Sequence, residues 1–302
     1  MFGIKGKGMA FASFTVEDIA TRAATIHTLR RGVGPPLLLL HGYPQTHFIW
    51  HKIADRLSEQ YTVVLTDLRG YGDSSKPEGG ARHENYSFRA MAQDQVEVMR
   101  HLGHETFFVA SHDRGARTAH RMCLDHPQVV PKVCLMDIAP TLRMYRDTSK
   151  EFATKYMWWF FLIQKAPLPE HMIGADAAFF LEQHFELQSG TSGALTDEAL
   201  KEYNRCFCTP DAIHASCEDY RASADIDLEM DEEDEKAGRK VECPVLALWG
   251  EKGALSQLWD VLEVWGQNAR APVQGRALNS GHYLAEEQPE EVLQELVRFL
   301  AN

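Results

Sequence analysis

The strongest constraint on the fold of this chain is a series of short apolar segments that alternate with segments of helical periodicity. The apolar segments are PPLLLLHG, YTVVLTD, TFFVASHD, VPKVCLMD and CPVLALWG, at residues 35–42, 61–67, 106–113, 130–137 and 243–250. Segments of this kind, apolar on both faces, are typical of a parallel sheet that is covered by helices. Helical segments separate the first four apolar segments, at residues 48–60, 88–103 and 114–127. The sequence therefore predicts a doubly wound, mostly parallel α/β sheet.

The alternation stops near residue 140 and resumes near residue 240, and the interval between them is rich in aromatic residues and prolines. This interruption predicts a core formed by residues 1–140 and 240–302, with a helical cap, or lid, inserted at residues 141–239. The acidic run DLEMDEEDEKAGRK, at residues 227–240, is typical of a solvated segment, so we expect an exposed turn on the return to the core. The segment EEVLQELVRFLAN predicts an amphipathic C-terminal helix.

Composition and charge argue against several classes of partner. The formal net charge is −12 and no basic stripe offsets it, which disfavours a nucleic-acid partner. The longest apolar runs are far shorter than a membrane span, so we expect no membrane partner. The six cysteines show no zinc-type C-x-x-C spacing, and we expect reduced thiols in a cytoplasmic protein that holds no metal. An anionic substrate would need arginines placed locally against this negative background.

The most informative motif is Ser-His-Asp-Arg-Gly at residues 111–115, where a predicted strand runs into a predicted helix. A nucleophile between two small residues, each two positions away, is the pattern of a nucleophile elbow, and Asp113 takes the nucleophile position. Small residues are required because the backbones crowd at so tight a turn. The alternative is that Asp113 only caps the helix, which is a common role for aspartate.

Three further features favour the catalytic interpretation. The segment HGYPQ follows the first apolar segment and is typical of a loop that contributes to an oxyanion hole, with the backbone N–H groups of Tyr43 and Arg114 as the candidate donors. His282 lies in a loop before the last predicted helix, where a general base is expected. Asp137 and Glu251 each end a predicted strand, and either could orient His282. We favour Asp137 because its short side chain presents the carboxylate rigidly.

A carboxylate nucleophile indicates displacement at a saturated carbon, because the ester that results can be hydrolysed at the enzyme's own carbonyl group. The substrate would then carry a carbon–halogen bond or an epoxide. Arg114 follows the nucleophile and Arg117 lies about one helical turn further on. Buried guanidinium groups require an anion, and their forked donors suit a carboxylate. The alternative is that one or both arginines pair with acidic neighbours such as Asp137.

With these motifs the sequence resembles the haloacetate dehalogenases of the α/β-hydrolase superfamily, and the fluoroacetate dehalogenases in particular. The resemblance runs through the segments PPLLLLHGYPQTH, HDRGAR, DIAPT, APLPE, CEDYRA, LALWG and SGHYLAEE. It implies an α/β-hydrolase fold without a metal or organic cofactor, and it suggests a homodimer. It also implies that Asp113 is the nucleophile, that Arg114 and Arg117 bind the substrate carboxylate, and that His282 is the base with Asp137 as its acid.

In the family that the sequence resembles, the leaving halide is held by a histidine, an adjacent tryptophan and a distant tyrosine. The tyrosine matches Tyr220, the tryptophan matches Trp159, and the histidine position falls on Trp158. Imidazole is compact, whereas indole is larger and donates from one fixed N–H. This departure leaves the preference between fluoride and the larger halides open.

The sequence thus predicts a hydrolytic dehalogenase that converts a short 2-haloacid, such as a haloacetate, into glycolate and halide. The enzymatic alternative is an epoxide hydrolase, which needs the same Asp–His–acid set and two lid tyrosines. Tyr220 could be one of them, and the candidates for the other are Tyr145, Tyr156 and Tyr203. Arg114 disfavours that alternative. A third possibility is a non-catalytic binder of small carboxylates, against which the intact Asp113 and His282 argue.

Overall fold

The computed structural model describes residues 10–301. Its strands are β1 Thr15–Ala20, β2 Thr25–Arg31, β3 Pro36–Leu40, β4 Thr62–Thr66, β5 Phe108–His112, β6 Val133–Met136, β7 Val245–Gly250 and β8 Val273–Leu278. Within the described residues they form one eight-stranded sheet in the order β1-β2-β4-β3-β5-β6-β7-β8. β2 is antiparallel to β1 and β4, and all other neighbouring pairs are parallel. The predicted α/β class and the mostly parallel sheet are confirmed.

The helices fall into three groups along the chain. Before β6 lie α1 Ala54–Leu57, α2 Phe88–His101 and α3 Asp113–Asp125, with 3-10 helices at His47–Trp50 and Glu84–Tyr86. Between β6 and β7 lie α4 Thr141–Arg146, α5 Lys150–Lys155, α6 Met157–Phe161, α7 Leu168–Ala175, α8 Ala177–Gln188, α9 Asp197–Phe207, α10 Pro210–Ala224 and α11 Ile226–Lys236. After β7 lie α12 Ala254–Leu258, α13 Val261–Asn268, α14 Leu284–Glu287 and α15 Pro289–Ala301. We refer to α4–α11 as the helical insertion.

The central strands are apolar throughout because both faces of the sheet are covered. Along β3, Leu38 and Leu40 belong to one apolar cluster, and Leu37 and Leu39 belong to a second cluster on the opposite face. All four side chains are fully buried. This packing explains why the five apolar segments of the sequence each contain one of the strands β3–β7.

Two local predictions were wrong. The helix predicted at residues 48–60 is broken into a 3-10 turn, His47–Trp50, and the short α1. Ile49, Trp50 and Ile53 are fully buried there, so tertiary packing overrides the helical periodicity. The acidic run is also not an exposed turn, because most of it forms α11.

The acidic run is helical because part of its charge is matched inside the protein. Asp231 and Asp234 bind the guanidinium of Arg121 at 2.6 and 2.5 Å. Asp227, on the same helical face, accepts a hydrogen bond from the backbone N–H of Phe88 at 3.0 Å. The spacing of these three aspartates places them on one side of α11. Within residues 10–301, no helix combines the length and the apolar character that crossing a membrane requires.

Candidate active site

Asp113 lies at the junction of β5 and α3, with a φ of 46° in the left-handed region. The surrounding space is tight. A Cβ atom on Gly115 would lie 2.2 Å from the carbonyl oxygen of His41, and one on Gly42 would lie 2.4 Å from the Cβ of Asp113. Side chains do not tolerate such distances, so glycine is required at both positions. The elbow presents Asp113 at the carboxyl ends of the central parallel strands.

The HGYPQ loop, which follows β3, contacts the predicted nucleophile Asp113 directly. The backbone N–H of Tyr43 donates a hydrogen bond to Oδ1 of Asp113 at 2.9 Å. Arg114, the second predicted oxyanion donor, follows Asp113 in the first turn of α3. The loop is therefore placed to stabilise negative charge at the Asp113 carboxyl group.

His282 lies between Asp113 and Asp137 in the loop that follows β8. Its Nδ1 is 2.6 Å from Oδ2 of Asp137, and its Nε2 is 3.8 Å from Oδ2 of Asp113. The other carboxylate oxygen of Asp137 accepts from the backbone N–H of Gly250 at 2.9 Å, which fixes the carboxylate. Because Nδ1–H donates to Asp137, Nε2 is the nitrogen that faces the nucleophile. Glu251, the alternative acid, is exposed.

A buried glutamate that the sequence analysis did not identify holds the histidine loop. Glu287 accepts hydrogen bonds from the backbone N–H groups of Gly190 and Gly281, both at 2.9 Å. The backbone N–H of His282 donates to the carbonyl of Gln188 at 2.9 Å. The loop that carries His282 is thus tied to the end of α8 in the helical insertion.

The electrostatics of the site favour the ionised form of Asp113. Burial alone would raise the pKa of Asp113, but the charge of His282 and those of neighbouring cations outweigh it, and the pKa is lowered. Burial alone would lower the pKa of His282, but its hydrogen bond to Asp137 and the charges of Asp137 and Asp113 outweigh burial and raise the pKa. Burial, together with the charge of His282, lowers the pKa of His112 to about 3. Neutral His112 donates from Nε2 to the carbonyl of His282 at 2.7 Å.

Arg114 is matched by an acid that the sequence analysis did not assign. Its Nε donates to Oδ2 of Asp219 at 2.9 Å, and its Nη2 bonds both Oδ1 and the backbone carbonyl of the same residue. Both side chains are fully buried. The hydroxyl of Tyr71 also donates to Asp219, and the Arg114 guanidinium lies 4.2 Å from the ring centroid of Tyr220. The charge of Arg114 is therefore largely compensated within the protein.

Arg117 has a different environment. Its hydrogen bonds go to uncharged partners: Ala139 O and Thr141 Oγ1 at 3.0 Å, and Met144 Sδ at 3.2 Å. Its Nε is buried and has no hydrogen-bond partner among the described residues. The guanidinium lies 4.5 Å from the ring centroid of Trp159. Burial lowers the pKa of Arg117, and the charge of Asp113 opposes that shift. Arg117 is thus a buried cation without an acidic hydrogen-bond partner in the described part of the chain.

The three residues predicted to hold a halide belong to one series of ring contacts. Tyr220 and Trp159 have ring centroids 6.4 Å apart, and Tyr220 lies 5.2 Å from the ring of Tyr43. Trp158 packs against Tyr156 at 5.9 Å and His184 at 4.5 Å. The indole N–H groups and the Tyr220 hydroxyl form no hydrogen bond with any residue in the range 10–301. These donors therefore have no protein acceptor within that range.

His184 is a further residue that the sequence analysis missed. It is buried on α8, and its ring packs edge-on against Tyr43 at 5.1 Å as well as against Trp158. Its Nδ1 is buried without a hydrogen-bond partner among the described residues. Only the replacement at position 158 could have prompted a search for a second histidine in the insertion.

A group that could hold a metal ion lies among other residues, His27, His47 and Asp67, whose ligand atoms are within 4.8 Å of one another. Nδ1 of His47 is 2.9 Å from Asp67, and Nδ1 of His27 is 2.8 Å from Asp18. These ring nitrogens already have carboxylate partners, so the group is accounted for by ion pairing.

Comparisons with known proteins identify the family to which the chain belongs. The family described as alpha/beta hydrolase fold matches residues 35–289. Fluoroacetate dehalogenase from Burkholderia sp is 45% identical over 97% of this chain and 95% of its own length. Soluble epoxide hydrolase from Corynebacterium sp. (strain C12) is 30% identical over 91% of this chain and 93% of its own length. A solved structure from Nostoc sp PCC 7120, described as a candidate alpha/beta hydrolase, has a TM-score of 0.94 and 54% identity, covering 97% of this chain and 99% of its own. This chain is therefore an enzyme of the alpha/beta hydrolase family, and the resemblance to haloacetate dehalogenases seen in its sequence motifs is confirmed.

Proposed function

We propose that this enzyme is a hydrolytic dehalogenase of short 2-haloacids, which converts a haloacetate and water into glycolate and halide. One observation carries the proposal: the buried guanidinium of Arg117 has no acidic hydrogen-bond partner among the described residues and acts electrostatically on Asp113. A substrate carboxylate would supply that partner and present its α-carbon to the nucleophile. Arg114, whose charge is shared with Asp219, would contribute its remaining donor.

In the first step, a carboxylate oxygen of Asp113 attacks the α-carbon from the side opposite the halogen. The new C–O bond forms as the carbon–halogen bond breaks, and the halide leaves with the bonding electron pair. Donors of Trp158, Trp159 and Tyr220 stabilise the charge that develops on the halide. The product of this step is an ester between Asp113 and glycolate.

In the second step, His282 takes a proton from water through Nε2, and the water oxygen attacks the ester carbonyl of Asp113. The backbone N–H groups of Tyr43 and Arg114 stabilise the resulting oxyanion. As it collapses, the departing alkoxide oxygen of glycolate takes the proton held by His282, and the Asp113 carboxyl group then releases the second proton of the water to solvent, which restores the carboxylate and the neutral imidazole. Esterification removes the Asp113 charge, one of the causes that raise the pKa of His282. The pKa of His282 therefore falls at the stage that needs a neutral base.

An epoxide hydrolase is the second candidate, because the 30% identical relative from Corynebacterium has that activity in its name. The hydroxyl of Tyr203 donates to Glu286 at 2.5 Å, so Tyr203 is engaged elsewhere. Tyr156 and Tyr220 are both buried, and the charge of Asp113 contributes to the raised pKa of each. These two would be the acids for an epoxide oxygen. A neutral epoxide, however, would leave Arg117 without a counter-ion.

The deciding experiment measures halide and glycolate release from fluoro-, chloro- and bromoacetate, with diol formation from a small epoxide measured in parallel. We expect release from chloroacetate and bromoacetate and its loss in Asp113→Ala. Diol formation without halide release would identify an epoxide hydrolase instead. Saturable binding of chloroacetate without any turnover would identify a non-catalytic carboxylate binder.

We also propose that the enzyme is a cytoplasmic homodimer. The family resemblance supports the dimer, and six cysteines without zinc-type spacing support a reducing compartment. Light scattering of the purified protein tests the assembly, because the monomer mass is 34.2 kDa. A monomer at micromolar concentration would contradict the dimer.

A further inference from the structure

We propose that His184 donates a hydrogen bond to the leaving halide and thereby sets how well the enzyme acts on the poorer leaving groups. This inference rests on the dehalogenase function proposed above and assigns a catalytic residue within the same site. The position that the family resemblance gives to a histidine holds Trp158 in this chain, and His184 packs directly on that indole.

The anchoring of α8 fixes where His184 lies. Gln188, at the end of α8, accepts the hydrogen bond from the backbone N–H of His282 at 2.9 Å. His184 lies one helical turn earlier in α8, which is about 6 Å along the helix axis. Its ring is 5.1 Å from that of Tyr43, whose own backbone N–H binds Asp113. His184 therefore lies between the loop that carries His282 and the loop that contacts the nucleophile.

The hydrogen-bonding state of His184 points to a ligand. Nδ1 is buried and unpartnered, and neither ring nitrogen bonds any residue within 10–301. Leaving a polar nitrogen unpaired in the interior is unfavourable, and buried polar atoms in proteins are generally satisfied. The other buried side chains of α8 are Leu181 and Phe185, so an apolar residue would suit the packing. A halide formed in the site would give the imidazole N–H its acceptor.

The protonation state of His184 suits this role. Burial, followed by the charge of His282, lowers its pKa to about 3, although the charge of Asp113 opposes the shift. The ring is therefore neutral under ordinary conditions and carries one N–H donor and one acceptor nitrogen. A neutral donor needs no counter-ion before the halide forms, and it strengthens as negative charge develops on the leaving atom.

The test compares His184→Leu with His184→Gln, which keeps an N–H donor. The readout is the ratio of kcat on a poorer leaving group to kcat on a better one: fluoroacetate to chloroacetate, or chloroacetate to bromoacetate where fluoroacetate is not turned over. We expect His184→Leu to lower kcat on the poorer leaving group by about 100-fold or more, as for loss of an oxyanion-hole donor. The loss on the better leaving group should be under about tenfold, and His184→Gln should recover part of the ratio.

A second variant and a control separate the effect of the lost hydrogen-bond donor from the effect of altered packing. Adding Trp158→His to His184→Leu replaces the fixed indole N–H by a compact imidazole donor beside the lost one, and it should raise the ratio again. His120→Leu is the matched control, because His120 is buried and packs edge-on against Trp265 at 5.1 Å. Its pKa is also lowered to about 3, with burial as the main cause. We expect this control to leave the ratio unchanged even where it lowers stability.

The outcomes are distinct. An unchanged ratio of kcat values in His184→Leu would overturn the role of His184 and leave the proposed dehalogenase function standing. If the leucine variant does not fold, His184→Phe, whose ring fills more of the space, serves instead. Absence of halide release from the unmodified enzyme on all three haloacetates would refute the proposed function and this inference with it. A falling ratio that His184→Gln restores supports the hydrogen-bonding role.

Discussion

Replacing Arg117 with glutamine tests the basis of the proposed substrate class. Arg117→Gln removes the charge and places a neutral amide nitrogen near the position of the present Nε, which has no hydrogen-bond partner among the described residues. We therefore expect the fold to persist. The substrate carboxylate would lose the one buried cation whose hydrogen bonds, among the described residues, all go to uncharged groups.

The size of the effect follows from the environment of the guanidinium. A hydrogen bond to a charged group contributes about 1.5–3 kcal/mol. Two unit charges 4 Å apart interact by about 4 kcal/mol at an effective dielectric constant of about 20. Both figures include the attraction between the same two charges and are not added, so we take about 3–4 kcal/mol for the pair of Arg117 and the substrate carboxylate. Since about 1.4 kcal/mol corresponds to a tenfold change, kcat/KM on chloroacetate should fall by about 10²–10³-fold.

The assay compares kcat/KM on chloroacetate with kcat/KM on chloroacetamide, which has a similar shape but no charge. We expect the amide to lose less than about tenfold in Arg117→Gln, because the lost term is electrostatic. Arg121→Gln is the control, since Arg121 is also buried on α3 but pairs with Asp231 and Asp234. Equal losses on both substrates in Arg117→Gln would show that Arg117 supports the fold and does not bind a carboxylate.

Three other predictions concern the remaining site residues. Arg114→Gln leaves Asp219 buried without its charged partner and should lower the free energy of unfolding by about 3–5 kcal/mol, which thermal unfolding measures. Adding Asp219→Asn should recover much of that loss, and no recovery would show that the pair is not formed. His282→Ala should accumulate an ester on Asp113 during incubation with chloroacetate, which intact-protein mass spectrometry detects, and normal turnover would remove His282 from the mechanism. The pKa of Asp113 is lowered and that of His282 is raised, so a fall in pH should protonate His282 before Asp113. We therefore expect the ester on Asp113 to accumulate in the unmodified enzyme at mildly acidic pH. A quenched time course that shows no more ester there than at neutral pH would contradict this order of protonation.

The parts of the fold that could be predicted from sequence are those whose physical signature is local. β3–β7 are covered on both faces and therefore appear as continuous apolar runs. The hairpin of β1 and β2 was missed because it lies at the edge of the sheet, where few of its side chains are buried, among them Ile19, Ile26 and Leu29. The alternation of apolar and polar residues in β1 and β2 is too weak to distinguish a strand from a loop.

The residues of the candidate site likewise divide into those with a local sequence signal and those without one. The elbow could be found because a tight strand-to-helix turn imposes small residues within five positions of sequence. Asp219 could not be assigned, because it is 105 positions from Arg114 and only the tertiary structure brings the two together. Its neighbour Tyr220 was identified from the resemblance, and yet nothing in the sequence indicated that the adjacent aspartate would compensate the charge of Arg114.

That compensation changes what the two arginines can do. From sequence they are equivalent cations, and both are expected to bind the one substrate carboxylate. In the structure, Asp219 matches Arg114, Asp137 is hydrogen-bonded to His282, and Arg117 is the cation with uncharged hydrogen-bond partners. A single carboxylate restores the balance around Arg117, whereas a second carboxylate would enter a buried site with no unmatched cation and would lose its hydration without compensation. The halide that leaves is itself an anion, so it must rely on neutral N–H and O–H donors. We therefore expect the substrate to be a monocarboxylate, with the charge of Arg117 binding its carboxylate group and neutral donors binding the leaving halide.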